Sequence, residues 1–235
     1  MNRATGKPRY LRRDQVDGVT GAVVAVDVLR AFTTAAYAFA AGARQIFLCG
    51  DVDEALAFKA ANSGVLAMGE DHGRRIAGFD FSNSPVEVSK AKLAGVTLVQ
   101  RTSAGTRGVV AAGAATRLWC ASLVTASATA AAVAASGLGV PTYVITGDFP
   151  DRPDRYGHDD RLTAQLIERA RTGAPLDADG TARLVAASDE ATRTLALAGD
   201  DVDPEDVAYA TKVDLFDFAL EVVRTDDGLR LDAVR

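Results

Sequence analysis

Carboxylates, guanidinium groups and hydroxyls recur just after short apolar runs in this 235-residue chain. Asp27, Arg30, Thr33 and Thr34 end or follow the run Ala22–Val28. Glu70, His72, Arg74 and Arg75 follow Val65–Met68, with Gly78–Pro85 close behind. Arg101, Thr102, Ser103, Gly105, Thr106 and Arg107 follow Val96–Gln100. Ser122 and Thr125 follow Arg117–Ala121, and Asp148, Asp159 and Asp160 follow Val140–Thr146. Hard oxygen ligands suit Mg²⁺. Guanidinium, hydroxyl and turn N–H donors suit an oxyanion. The inventory is the one needed to hold a divalent cation and a phosphate together, with Asp27, Glu70, Asp80, Asp159 and Asp160 as candidate metal ligands.

A carboxylate at the end of a buried apolar strand is costly unless it is paired or metal-bound. Asp27 therefore either caps the next helix or pairs with Arg30, or it serves as a metal ligand or phosphoryl-accepting nucleophile. The sequence leaves both open. Arg30, Arg107 and the turn Thr102-Ser103-Ala104-Gly105-Thr106 are candidates to clamp phosphoryl oxygens. Thr33, Thr34, Asn83 and Ser84 add hydroxyl and amide groups. Asp80, Asn83 and Ser84 could equally do no more than cap the helix that Pro85 opens. Arg74 and Arg75 could hold a second acidic group of the substrate. The turn lacks the lysine and spacing of a Walker A loop, which argues against a nucleotide triphosphatase. Asp51-Val52-Asp53 imitates the D-x-D of aspartate-nucleophile phosphatases, but it reads better as a helix cap followed by Glu54. His72 and His158, the two histidines, read as solvated loop residues.

These residues need a scaffold that brings strand ends together. Apolar runs of strand length alternate with helical patterns at Ala31–Ala41, Val52–Ala61, Arg107–Ala112, Ala126–Ala135 and Asp159–Arg171. That alternation predicts an α/β fold with a mainly parallel or mixed sheet flanked by helices. Ligands of such sheets bind at the carboxyl ends of the strands. After Thr172 helices are expected at Ala182–Ala198 and Pro204–Thr211, then a β-hairpin of Ala219–Arg224 and Leu229–Val234 around Asp226-Asp227-Gly228. One domain spans residues 1–235, with residues 1–18 as an N-terminal arm and 172–235 as a possible subdomain. Gly147–Gly157, rich in Pro and Asp, is the expected mobile loop.

Hydrophobic residues make up 48% of the chain and charged residues 24%, which argues against disorder. Only 6% is aromatic, so the core must be built from Ala, Val and Leu. The net charge of −5 and the lack of a long basic run argue against nucleic acid as a partner. The run ending at Leu29 is too short to span a membrane, and a cytoplasmic protein without a targeting segment is expected. Cys49 and Cys120 are far apart and read as buried free thiols.

Taken in order, V-D-V-L-R-A (Val26–Ala31), G-E (Gly69–Glu70), G-F-D-F-S-N-S-P (Gly78–Pro85) and T-S-A-G-T-R (Thr102–Arg107) resemble the 2-phosphosulfolactate phosphatase family. The resemblance continues through Ser122–Ala126, Asp159–Asp160 and Lys212–Asp217. It implies a Mg²⁺-dependent acid phosphatase that converts 2-phosphosulfolactate to sulfolactate and phosphate, a step toward coenzyme M. It also implies a homodimer. Ala104 and Thr125 stand where the family commonly has Asn. They motivate a second expectation, a catalytically silent anion-binding or regulatory protein on the same scaffold.

Overall fold

The computed structural model describes residues 6–152, 154–197, 199 and 201–235. The first five residues of the arm, Pro153 of the expected loop and Ala198 of an expected helix lie outside the described residues. The strands are β1 (Arg9–Arg12), β2 (Ala22–Val26), β3 (Gln45–Cys49), β4 (Leu66–Gly69), β5 (Thr97–Arg101), β6 (Arg117–Ala121), β7 (Thr142–Ile145), β8 (Ala219–Thr225) and β9 (Gly228–Val234). The helices are α1 (Ala31–Ala40), α2 (Val52–Ala61), α3 (Pro85–Ser89), α4 (Gly105–Ala111), α5 (Ala126–Ala135), α6 (His158–Thr172), α7 (Ala178–Ala186), α8 (Asp189–Leu195) and α9 (Asp206–Ala210). Short 3₁₀ turns occupy Arg13–Gln15 and Leu123–Thr125.

All the strands join one sheet in the order β1-β7-β2-β6-β8-β9-β3-β5-β4. The strands β1, β7, β2 and β6 run parallel, as do β3, β5 and β4. Between the two groups stands the β8–β9 hairpin, antiparallel to each neighbour and within itself. Three successive reversals make the second parallel group run opposite to the first. The hairpin is therefore the middle of the sheet, where it joins the two groups, and not a peripheral addition.

Every residue of β2 is buried, as expected of a strand covered on both faces. Its side chains alternate between two cores. Val23 and Ala25 pack with Phe32, Ala35 and Ala36 of α1, while Val24 and Val26 pack with Trp119, Tyr143, Ile145 and residues of α5 and α6. A third cluster places Ala55 of α2 with Phe47, Cys49, Ala67 and Val99. The alanines let helices lie close to the sheet, and most of α1 is buried. Cys49 and Cys120 are free and buried.

Two local expectations need correction. The helix expected over residues 182–198 is two helices, because Ser188 accepts the N–H of Ala191 and caps α8 as a new start. The edge strand β1 was not anticipated. Its sequence Arg-Tyr-Leu-Arg has no apolar run, since only β7 flanks it. Among the described residues, no helix is long and apolar enough to cross a membrane.

Candidate active site

The loops after β2, β4, β5 and β7 and the first turn of α6 line one pocket of about 420 Å³. Its floor is acidic. Asp27 follows β2, and its Oδ1 accepts the N–H of Ala31 at 2.9 Å, holding the start of α1. Asp160, in the first turn of α6, accepts N–H groups from Val28 and Gly147, each at 2.9 Å. The Thr146 hydroxyl lies 3.3 Å from Asp27 Oδ2 and 3.4 Å from Asp160 Oδ2. That hydroxyl has one proton, and its closest acceptor is the Val26 carbonyl at 2.9 Å. The two carboxylates thus meet across Thr146, with the N–H groups of Ala31, Val28 and Gly147 to offset part of their charge.

Asp159 is 3% exposed, and its Oδ1 has no hydrogen-bond partner among the described residues. Burial, then the nearby Glu190 and Asp27, push its carboxyl up to about 8. Burial also raises Asp27 to about 6, opposed by the Ala31 N–H and reinforced by Glu70. Asp160 is raised well above the usual range by burial, then by Asp159 and Asp27. Buried acids that repel one another in a cleft mark a place built for positive charge.

The second wall is the turn between β5 and α4. Gly69 permits it: with φ at +141°, a Cβ there would lie 1.9 Å from the Arg101 carbonyl oxygen. This close approach puts Glu70 beside the turn, where it accepts N–H groups from Ser103 and Gly73 and the Ser103 hydroxyl. Thr102 and Thr106 lock the turn reciprocally. The Thr106 hydroxyl receives the Thr102 N–H at 2.8 Å, and the Thr102 hydroxyl receives the Thr106 N–H at 3.0 Å. Gly105 brings the turn against the floor, since a Cβ there would sit 2.7 Å from Asp27 Oδ2. The helix α4 that follows is short, seven residues, so positive charge on this side of the pocket comes mainly from side chains.

Those side chains are arginines. Arg13, Arg107, Arg152, Arg155 and Arg193 line the pocket together with Arg30. Arg13, Arg152 and Arg155 surround the Phe149 ring, 4.5, 5.6 and 5.9 Å from its centre. Arg193 pairs with Glu190 at 3.2 Å. Burial, then Arg107, lowers the Arg13 pKa, and burial, then Arg152, lowers that of Arg155. A basic wall crowded enough to perturb its own members faces an acidic floor. Such a pocket can hold an oxyanion and a cation side by side.

Of the residues named from the sequence, Asp27, Arg30, Glu70, Asn83, Ser103, Arg107, Asp159 and Asp160 come together here. Others do not. Asp80 accepts the Ala67 N–H and pairs with Lys59, each at 2.7 Å, away from the pocket. The Arg74 side chain is 72% exposed beside Asp201, and Arg75 pairs with Glu87. Thr33 donates to the Val28 carbonyl and Thr34 to that of Asn83, so both hydroxyls serve the backbone. Ser84 caps α3 through the Glu87 N–H and donates to Asp206. Thr102 and Thr106 satisfy each other, and Gly105 acts by its small size. Asp51 caps α2 through the Asp53 N–H, as expected. His158 is exposed, and His72 stands exposed at the pocket rim.

Arg13, Phe149, Arg152, Arg155, Glu190 and Arg193 were missed. In the sequence Arg152 and Arg155 are interleaved with Asp151 and Asp154, so no basic cluster stands out. Among the described residues, no group of three or more His, Cys, Asp or Glu forms a ready-made metal cluster. Mg²⁺ does not require one, because it keeps several waters and usually takes one or two carboxylates plus substrate oxygens. The hard-oxygen pair Asp27 and Asp160 and the unpartnered Asp159 Oδ1 fit that pattern.

A family model described as 2-phosphosulpholactate phosphatase matches residues 9–224. A Bacillus subtilis protein named as a probable 2-phosphosulfolactate phosphatase is 30% identical over 200 residues, covering 85% of this chain and 86% of its own length. Proteins bearing the same name from Deinococcus radiodurans and Carboxydothermus hydrogenoformans match over shorter spans. The first is 37% identical over 60% of this chain and 58% of its own length, the second 42% identical over 46% and 45%. The chain belongs to the 2-phosphosulfolactate phosphatase family, a family of phosphoric monoester hydrolases.

Proposed function

We propose that the protein hydrolyses the phosphoester of 2-phosphosulfolactate, or of a similar small phospho-hydroxy acid, in a Mg²⁺-dependent reaction. The observation that carries this reading is the juxtaposition of the Asp27–Asp159–Asp160 floor with the arginine wall in one pocket. Asp27 and Asp160 would hold Mg²⁺, which supplies charge neutralisation on a phosphoryl oxygen and polarises phosphorus. Arg30 and Arg107 bind the remaining phosphoryl oxygens and offset the charge that grows in the transition state. Arg13, Arg152 and Arg155 receive the other acidic groups of the substrate through their planar forks. Asp27 lies where the floor meets the Gly105 turn, so its carboxylate either attacks phosphorus or takes the proton of an attacking water. Oxygen labelling of the released phosphate in a single turnover separates these two routes.

The test is phosphate release from 2-phosphosulfolactate and a panel of phospho-hydroxy acids, with Mg²⁺ and with chelator. Metal-dependent release that collapses in Asp27→Asn is expected. Binding of these phosphoesters without release in either condition would instead support the silent anion-binding protein, and the phosphatase reading would fail.

A further inference from the structure

Arg30 reaches the pocket on a support from the far end of the chain. Its Nη1 donates to Asp206 Oδ2 at 2.7 Å and to the Asp201 carbonyl at 3.3 Å. Its Nε and Nη2 have no protein hydrogen-bond partner among the described residues, and the side chain lines the pocket. One edge of the guanidinium is thus tied back, and the fork is left for a ligand.

The tether is itself held. Asp206 opens α9 and has no exposed surface. Its Oδ2 also accepts the Asp203 N–H at 3.2 Å, while Oδ1 accepts the Ser84 hydroxyl and, at 3.4 Å, the Val86 N–H. Both oxygens are committed, to donors from α3, from the turn before α9 and from Arg30. A carboxylate gripped by four donors is held in place, and together with the Asp201 carbonyl it takes both protons of Arg30 Nη1, which orients the guanidinium plane. Lysine has no equivalent, because a single ammonium has no second edge to present.

We infer that Asp206 is the positioning residue for Arg30: it fixes the guanidinium plane so that the free edge meets a phosphoryl oxygen. This inference rests on the proposed phosphatase reading and adds to it a residue that touches no substrate. The ordinary alternative is a buried ion pair that only fastens the C-terminal segment to the sheet. The two differ in coupling. A positioning residue has nothing left to position once Arg30 is changed, whereas a fastening acts independently of it.

The experiment is a double-mutant cycle of Asp206→Asn and Arg30→Lys. It is read on kcat and KM for the best phosphoester and, in parallel, on inorganic phosphate binding by calorimetry with Mg²⁺ present. Asn can accept on one side only, so Asp206→Asn is expected to lower kcat/KM about 10- to 100-fold, the usual cost of losing a supporting shell. The loss should fall mainly on kcat, and the double variant should be no worse than Arg30→Lys alone in either readout. Losses that multiply, or wild-type kcat and phosphate affinity with only a lowered Tm, would overturn the inference. If Asp206→Asn does not fold, Asp206→Glu, which keeps the charge, enters the same cycle. A wild-type protein inactive on every phosphoester would sink the phosphatase reading, while the phosphate-binding cycle would still decide the role of Asp206.

Discussion

Gly105→Ala sets two effects of opposite sign against each other. The backbone at Gly105 is not left-handed, so alanine fits its conformation, and at a helix start it would by itself add about 0.5–1 kcal/mol of stability. The new Cβ, however, would lie 2.6 Å from the Ala31 Cβ and 2.7 Å from Asp27 Oδ2, where ordinary contact begins near 3.4 Å. Relief of both contacts requires a shift of about 0.8 Å between α4 and the β2–α1 turn that carries Asp27. Overpacking of this kind costs about 1–3 kcal/mol. The net expectation is a loss of about 1–2 kcal/mol, or roughly 2–8 °C in Tm for a chain of this size. If Asp27 acts as proposed, displacing its carboxylate by nearly 1 Å should also cut turnover on the order of 100-fold. Thermal unfolding and Mg²⁺-supported phosphate release measure both. A raised Tm with wild-type turnover would refute the argument that Gly105 is small because Asp27 must sit against it.

The other predictions test the pocket from different sides. Asp159 keeps a proton in the native state up to about pH 8, whereas in the unfolded chain it releases it near pH 4. The stability from that proton is full below about pH 4 and disappears as pH rises toward 8. Chelator-treated protein should therefore lose Tm between pH 5 and pH 8.5, in the setting of Glu190, Asp27 and Asp160 around the group, and Asp159→Asn should flatten that slope; equal slopes would contradict it. Asp80→Ala and Arg74→Ala should leave turnover within about twofold, with Asp80→Ala costing about 1 kcal/mol in urea unfolding for the Ala67 N–H it leaves without its acceptor; a large loss of turnover in either would put those side chains back in the site. Arg155→Gln should raise KM about 10-fold for a substrate with acidic groups beyond the phosphate, and do so less at high salt; an unchanged KM would remove the arginine wall from substrate binding.

Much of the acidic floor was legible because Asp27 and Glu70 each stand just beyond an apolar run, where a charge needs a reason, and because Asp159 and Asp160 form an adjacent acidic pair at the start of a helical pattern. Asp80 misled for a local cause. Its own N–H and that of Phe81 both bond to the Ala67 carbonyl, a pairing that turns its carboxylate outward to Lys59. Of the meanings offered for Asp27, the helix-capping one is seen, since its Oδ1 holds the start of α1, and the same side chain also lines the pocket. The arginine wall was illegible because its convergence depends on non-local strand pairing. Arg13 meets the Phe149 loop because β1 lies against β7, and β1 carries no apolar pattern to announce it. The C-terminal hairpin was visible from its turn, but nothing local reveals that it inserts between β6 and β3 and reverses one half of the sheet. Nothing local marks Asp206, whose grip on Arg30 joins segments far apart in the chain.

Crystals grown with Mg²⁺ and inorganic phosphate test most directly whether the acidic floor and the basic wall form one working site. The predicted result is a cation about 2.1 Å from a carboxylate oxygen of Asp27 or Asp160, with a phosphate beside it held by Arg30 and Arg107. A pocket filled only with water, while both ions lie elsewhere on the protein, would contradict it.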